Sequence, residues 1–176
     1  MIYTTHIATP LGKMIAGATD AGICLFDFEF RKMMPAIKKR IQSFLQDEFE
    51  EGTHAHFDLL KEQVEEYFSG KRQQFDLPLV FSGTAFQQSV WNALKDIPYG
   101  STRTYMQQAK VLGDEKAIRA VARANGENCL AIIIPCHRVV GADGSLTGYA
   151  GGLRAKKWLL EHEAKHSGVN YQAEMF

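Results

Sequence analysis

The first thirty residues constrain the fold more than any other stretch of this chain. Residues 2–8, 13–18 and 23–28 alternate like strands, and the turn signals Thr9-Pro10-Leu11-Gly12 and Thr19-Asp20-Ala21-Gly22 separate them. Alternation of period two puts every second side chain on one face, and turns this short join strands antiparallel, so an antiparallel meander is predicted. The period then changes. Residues 35–46 carry Ile37, Ile41, Phe44 and Leu45 at helical spacing. Residues 57–68 do the same through Leu60, Val64, Tyr67 and Phe68, and Ser69-Gly70 closes that helix. Residues 75–82 read as a further strand or an extended connector, with a domain boundary near Ser82-Gly83-Thr84.

Chain length and composition then narrow the class. With 176 residues there is enough chain for one good core or two small ones, and 45% hydrophobic with 23% charged residues is ordinary for a globular protein. No apolar run approaches a membrane span and the N-terminus lacks a signal pattern. Three cysteines, Cys24, Cys129 and Cys136, cannot all pair and form no Cys-x-x-Cys motif, which favours free thiols and a reducing, cytoplasmic setting. The six histidines, among them His54 and His56, show no metal-cage spacing, so no metal is predicted. The net charge is zero but unevenly spread. Residues 1–85 hold nine Lys and Arg against twelve Asp and Glu, whereas residues 86–176 hold eleven against eight. The second half carries the weak positive footprint expected of a nucleic-acid surface.

That half is mostly helical by pattern. Thr84 can cap a helix whose buried stripe is Phe86, Val90, Trp91, Leu94 and Ile97, ended by Pro98-Tyr99-Gly100. Residues 104–112 form a short helix closed by Gly113, and Asp114 can cap a second over residues 115–125, stopped by Gly126. Two short helices around a Gly-Asp turn outline a helix-turn-helix. The second of them is rich in small residues (Ala117, Ala120, Ala122, Ala124) and carries Arg119 and Arg123 one turn apart. Small side chains admit close approach of a partner and arginines supply phosphate or base contacts; tight packing against neighbouring helices explains the alanines equally well. Further on come the turn Gly141-Ala142-Asp143-Gly144, the loop Gly148-Tyr149-Ala150-Gly151-Gly152, and a last helix over residues 153–164 with Trp158 and Leu159 inward and Arg154, Lys156 and Lys157 near its start. From His166 onward the chain reads as a loose tail.

The chemistry concentrates at Pro135-Cys136-His137-Arg138-Val139, directly after Ile132-Ile133-Ile134. Three β-branched residues predict a buried strand, which the proline ends. A thiol and an imidazole follow at once. Thiolate is the reactive form of cysteine, and a nearby imidazole is the usual means of raising its fraction at neutral pH. An isolated Cys-His pair is more often core than catalytic. The proline, the flanking arginine and the segments on either side argue for catalysis here.

Taken together, residues 100–112, 119–124, 128–140 and 148–163 closely resemble the O6-alkylguanine–DNA alkyltransferases, the methylated-DNA–protein-cysteine methyltransferases, and Ile134-Pro135-Cys136-His137-Arg138-Val139-Val140 is highly specific for them. The resemblance extends more loosely over residues 1–85. It implies an α/β (α+β) fold: a small ribonuclease-H-like domain over residues 1–83, a mostly helical domain with a helix-turn-helix over 84–166, and a tail over 167–176. It implies Cys136 as nucleophile, a water joining its thiol to His137, and Glu163 orienting the imidazole. Tyr105 matches the tyrosine that hydrogen-bonds the base, and Tyr149, Ala150, Gly151, Val139 and Asn128 match the pocket and its bracing turn. Arg119, Ala120 and Arg123, with Tyr105, match the DNA contacts, Arg119 filling the stack after the alkylated guanine flips out. The implied partner is double-stranded DNA, entered through the minor groove by a monomer, with no membrane, organic cofactor or metal. The implied product is a thioether, so each molecule acts once.

Two departures bear on substrate breadth: Ala150 stands where some relatives have serine, and Ala131 where some have proline. Ala18 and Ile23 stand at two places of the zinc pattern found in some relatives. The resemblance leaves O4-alkylthymine open as a second substrate. Three other readings stay in view: a non-catalytic sensor of alkylated DNA, a helix-turn-helix regulator and a cysteine hydrolase. Cys136, His137 and Glu163 argue against the first, and the chain has no room for the extra domain that the second requires.

Overall fold

The computed structural model describes residues 1–168. The chain divides into two compact units, Met1–Thr84 and a second that begins at Ala85. No helix among the described residues is long and apolar enough to cross a membrane.

In the first unit, β1 (Ile2–Thr9), β2 (Gly12–Thr19) and β3 (Gly22–Phe28) form the antiparallel meander. Gly12 (φ 115°) and Gly22 (φ 150°) open β2 and β3 just after the turns. At Gly22 a Cβ would also lie 2.5 Å from the Pro78 carbonyl oxygen, so only glycine fits. Helix α1 (Met34–Leu45) buries Met34, Ile37 and Ile41, and α2 (Ala55–Phe68) buries Phe57, Leu60, Val64 and Tyr67. Between them the short β4 (Phe49–Glu51) pairs parallel to β1, giving the order β3-β2-β1-β4. Three residues of Phe-Glu-Glu carry too little pattern to predict this strand. Residues 75–82 are an extended connector: Ile23 N–H donates to the Pro78 carbonyl and Val80 N–H to the Ile23 carbonyl, laying Leu79 beside β3.

The second unit begins with α3 (Ala85–Leu94), which buries Val90, Trp91, Ala93 and Leu94. Phe86, expected on the buried stripe, lies in the first turn of α3 and is 41% exposed. Ile97 is buried but lies beyond the helix end. Helix α4 (Tyr105–Val111) starts with a capping box, in which Thr104 Oγ1 accepts from Gln107 N–H and the Gln107 side chain accepts from Thr104 N–H. Asp114 caps a single 3₁₀ turn, Glu115–Ala117, and α5 proper is Ile118–Gly126. The helix expected over 115–125 thus begins tighter, and Gly126 is inside it. Trp91 Nε1 donates to the Ala124 carbonyl at 2.9 Å, and Gln108 bridges Arg103 and the Val90 carbonyl, so α3, α4 and α5 lock together.

The Ile132–Ile134 strand is not formed. Ala131 and Ile134 make one isolated bridge across a tight turn in which Ile132 has φ 71°, a region that β-branched side chains seldom enter. Three apolar residues satisfied a buried position, and no local signal announced the turn. Cys136–Arg138 then forms a 3₁₀ turn, followed by β6 (Val139–Val140), which pairs parallel with β5 (Arg103–Thr104). The last helix, α6 (Leu153–Ser167), runs past the predicted end at 164 and includes His166 and Ser167, the first residues of the expected tail. The rest of that tail, 169–176, lies outside the described residues.

Candidate active site

Irregular backbone and four regular elements, α4, α5, β6 and α6, deliver the site's side chains. The β5–β6 pairing sets Arg103 opposite Val139 and Thr104 opposite Val140, which draws Tyr105 alongside the Cys136–Val140 segment. Asn128 fixes the turn before the cysteine: its Nδ2 donates to the Ile134 carbonyl at 3.0 Å and its Oδ1 accepts from Leu130 N–H at 3.0 Å. Backbone groups left over by an irregular turn are costly to bury without such partners. From α5, Asn125 Nδ2 reaches the Cys136 carbonyl at 3.5 Å. Because the cysteine opens a 3₁₀ turn rather than a strand end, the opposite-faces rule for extended chains does not govern Cys136 and His137.

Cys136 is in no disulfide and is 5% exposed. His137 is fully buried, and its Nε2 lies 2.7 Å from Glu163 Oε2. Its Nδ1 is buried with no hydrogen-bond partner in the protein. Arg138 closes on the same carboxylate, Nε donating to Oε1 at 2.7 Å and Nη2 to Oε2 at 3.1 Å, while Nη1 donates to the Ile97 carbonyl at 2.7 Å. Burial alone would push the Glu163 carboxyl up, but His137 and Arg138 together pull it well below its ordinary range. Burial holds the His137 imidazole below 6.5 even against the attraction of Glu163, with Arg138 and Lys156 adding to the depression. An ionised Glu163 accepting from Nε2–H fixes the neutral tautomer, which leaves the Nδ1 lone pair unused.

Lys156 was not singled out as a site residue, yet it is completely buried. Its Nζ donates to the Val139 carbonyl at 2.7 Å and the Thr147 carbonyl at 2.9 Å. Burial lowers this ammonium to about 8, a shift opposed by the charge of Cys136. Thr147 Oγ1 in turn donates to the Tyr105 hydroxyl at 3.0 Å, so Lys156 ties the cysteine segment to Tyr105. Burial, with a smaller contribution from Cys136, raises the Tyr105 phenol, which keeps it a donor at neutral pH. The detectable signal for Lys156 was its spacing: positions 156, 159, 160 and 163 fall on one buried stripe of α6.

The structure therefore places Cys136, His137 and Glu163 in one buried cluster and links half-buried Tyr105 to it through Thr147 and Lys156. Tyr149 stands edge-on to His137, ring centroids 6.3 Å apart, and Ala150 and Gly151 are half-buried in the same loop. Asn128 and Val139 are buried, the Asn128 side chain bracing the turn through the Ile134 carbonyl and the Val139 carbonyl accepting from Lys156. On α5, Val121, Ala124 and Asn125 face inward, whereas Arg119, Ala120 and Arg123 are exposed. Ala124 is thus a packing residue, and the outward face combines one small side chain with two arginines. Among the described residues no three His, Cys, Asp or Glu side chains cluster as metal ligands would.

Comparison with known proteins gives a consistent picture. Residues 2–81 match the family model described as 6-O-methylguanine DNA methyltransferase, ribonuclease-like domain, and residues 85–165 match 6-O-methylguanine DNA methyltransferase, DNA binding domain. The chain is 44% identical over 162 residues to a methylated-DNA–protein-cysteine methyltransferase of Methanosarcina acetivorans, covering 92% of this chain and 98% of the relative. It is 42% identical over 164 residues to the constitutive enzyme of Bacillus subtilis, covering 93% and 96%. A crystal structure of Mycobacterium tuberculosis OGT in complex with DNA superposes with a TM-score of 0.83 at 36% identity, covering 93% of this chain and 94% of that one.

Proposed function

The chain belongs to the 6-O-methylguanine DNA methyltransferase family, and from that membership we propose that Cys136 is its alkyl acceptor and that each molecule acts once, on O6-alkylguanine in duplex DNA. It is a DNA-binding repair methyltransferase that moves an alkyl group from DNA to a cysteine. The observation that carries the residue assignment is the buried His137–Glu163 hydrogen bond, one residue from the thiol.

The step is a displacement at carbon. The thiol proton passes to His137 Nδ1 through a bridging water, while Glu163 holds the ring by Nε2. Sulfur forms a bond to the alkyl carbon, and the carbon–O6 bond breaks with both electrons going to oxygen. Tyr105 donates a hydrogen bond to the purine anion, which takes up a proton and becomes guanine. The net proton thus travels from sulfur to purine, and a thioether remains on Cys136. A base stacked in duplex cannot reach a thiol this enclosed, so the nucleotide flips out, at a cost of about a few kcal/mol. We assign the exposed face of α5 to the minor groove, with Arg119 occupying the vacated stack and Arg123 on the phosphates. The protein acts as a monomer in this scheme.

Intact-protein mass spectrometry tests it. Incubation with duplex DNA containing O6-methylguanine adds one methyl group, located on Cys136, and Cys136→Ala abolishes the gain. Excess substrate adds no second equivalent. DNA binding without a mass change would identify a sensor instead, and continued turnover a hydrolase.

A further inference from the structure

Arg138 is more deeply engaged than a flanking residue of a catalytic pair needs to be. It is 7% exposed, and all three of its nitrogens donate, two to Glu163 and one to the Ile97 carbonyl. Its guanidinium also lies over the Tyr99 ring, 5.6 Å from the centroid. Glu163 Oε2 accepts from both His137 Nε2 and Arg138 Nη2, so the imidazole shares its carboxylate with a permanent cation.

We propose that Arg138 is a positioning residue for the alkyl transfer: its fork fixes Glu163 as an already neutralised carboxylate, which keeps the His137 imidazole uncharged and its Nδ1 free to receive the thiol proton. This rests on the base role given to His137 above.

Charge counting supports it. A buried carboxylate whose only partner is an imidazole is neutralised most readily by protonating that imidazole, which would leave Nδ1 a donor, unable to accept. With Arg138 in place the carboxylate is balanced, and a proton on His137 would add an uncompensated buried cation beside Arg138 and Lys156. The groups acting on the imidazole are Glu163 and Lys156 from α6, Arg138 from its own turn, and Tyr149 from the following loop, with Cys136 the preceding residue of the same turn. Tyr99 faces the Glu163–Arg138 pair, and α3, which also packs here, has no titratable side chain. The same counting gives the thiolate a partner, since Lys156 is the one cation of the set that Glu163 does not balance.

The test compares single-turnover methyl transfer across pH in the wild type, Arg138→Gln and Arg138→Lys, with the ¹⁵N shifts of His137 followed in parallel. Loss of the guanidinium raises the affinity of His137 for a proton, so the acid limb of the rate profile moves to higher pH. For Arg138→Gln the expected effect is an acid limb displaced upward by about one pH unit, which slows transfer about tenfold at pH values below both limbs, with rates converging on wild type in alkali. Arg138→Lys retains a charge without the fork and shifts by less, and it answers alone if Arg138→Gln does not fold. At neutral pH the imidazole is neutral and Nε2-protonated in the wild type, and in Arg138→Gln its protonation midpoint moves up together with the acid limb of the rate. Equal slowing at every pH, or an imidazole whose titration is unchanged, overturns the proposal. The NMR arm needs no alkyl transfer, so an inactive wild type would defeat the functional reading while His137 still answers for Arg138.

Discussion

Each unit buries a carboxylate against an arginine, and the two carboxylates respond in opposite directions. In the first unit Asp27 is fully buried at the end of β3, accepting from Arg31 Nη1 at 2.6 Å and from Phe28 N–H at 2.8 Å. Burial outweighs those partners and its carboxyl is pushed up. In the second unit Glu163, equally buried, accepts from three side-chain N–H groups and is pulled down. An arginine near a buried carboxylate does not by itself fix its charge; the number and geometry of donors do. The Asp27 pair serves a sheet end, whereas the Glu163 cluster holds the imidazole of His137, which we propose it keeps in one protonation state.

Substitutions separate these roles. The largest effect belongs to Glu163→Gln, which leaves Arg138 buried without its counter-charge and His137 without its orienting acceptor. Transfer should slow by about 10²–10⁴-fold, and urea denaturation should register a loss of about 3–5 kcal/mol. Asp27→Asn leaves Arg31 in the same position, with a loss of about 3 kcal/mol; the single-turnover rate of the folded protein should not change. A slowed rate in that variant would break the contrast between a structural and a catalytic carboxylate.

The pH dependence of stability sharpens it further. His137 and Glu163 titrate below their ordinary 6.5 and 4.5, so the stability they contribute is present above those values and lost as pH falls through them. Asp27 titrates above 3.8, so its contribution has the opposite sign: present below that value and lost as pH rises. Acidification therefore weakens the second unit first, by up to about 1.4 kcal/mol per pH unit for each proton taken up on unfolding. Both tryptophans, Trp91 and Trp158, lie in that unit, so their fluorescence should report loss of structure at higher pH than far-UV circular dichroism of the whole chain. Coincident transitions would contradict this. The smallest effect is Arg123→Ala: its side chain is 84% exposed and 3.9 Å from Glu127, so stability should stay within about 0.5 kcal/mol. DNA affinity should weaken alike on all sequences, as gel-shift titrations at two salt concentrations would show.

How far each region was legible in the sequence follows from its physics. The meander and α2 announced themselves because alternation, helical period and turn residues all agree there. The Cys136 segment did not, because its shape depends on distant groups: Asn128 stabilises the turn that places Ile132 at positive φ, and no property of three isoleucines encodes that. Lysines are seldom buried, so residue type alone gives no sign that Lys156 would be, and the Val139 and Thr147 carbonyls make its burial tolerable. Phe86 misled in the other direction, an apolar residue of the right period in the first turn of α3 that stays 41% exposed. Chemical identity was therefore easier to read than the geometry that arms it.

The His137–Glu163 contact spans 26 residues of chain. A ribosome delivers the sulfur and the imidazole well before it delivers the acid that orients them, and α6 must fold back before the three can meet. Under the mechanism proposed above, a nascent polypeptide thus carries an unprimed thiol, and transfer is withheld until nearly all of the described fold has been assembled.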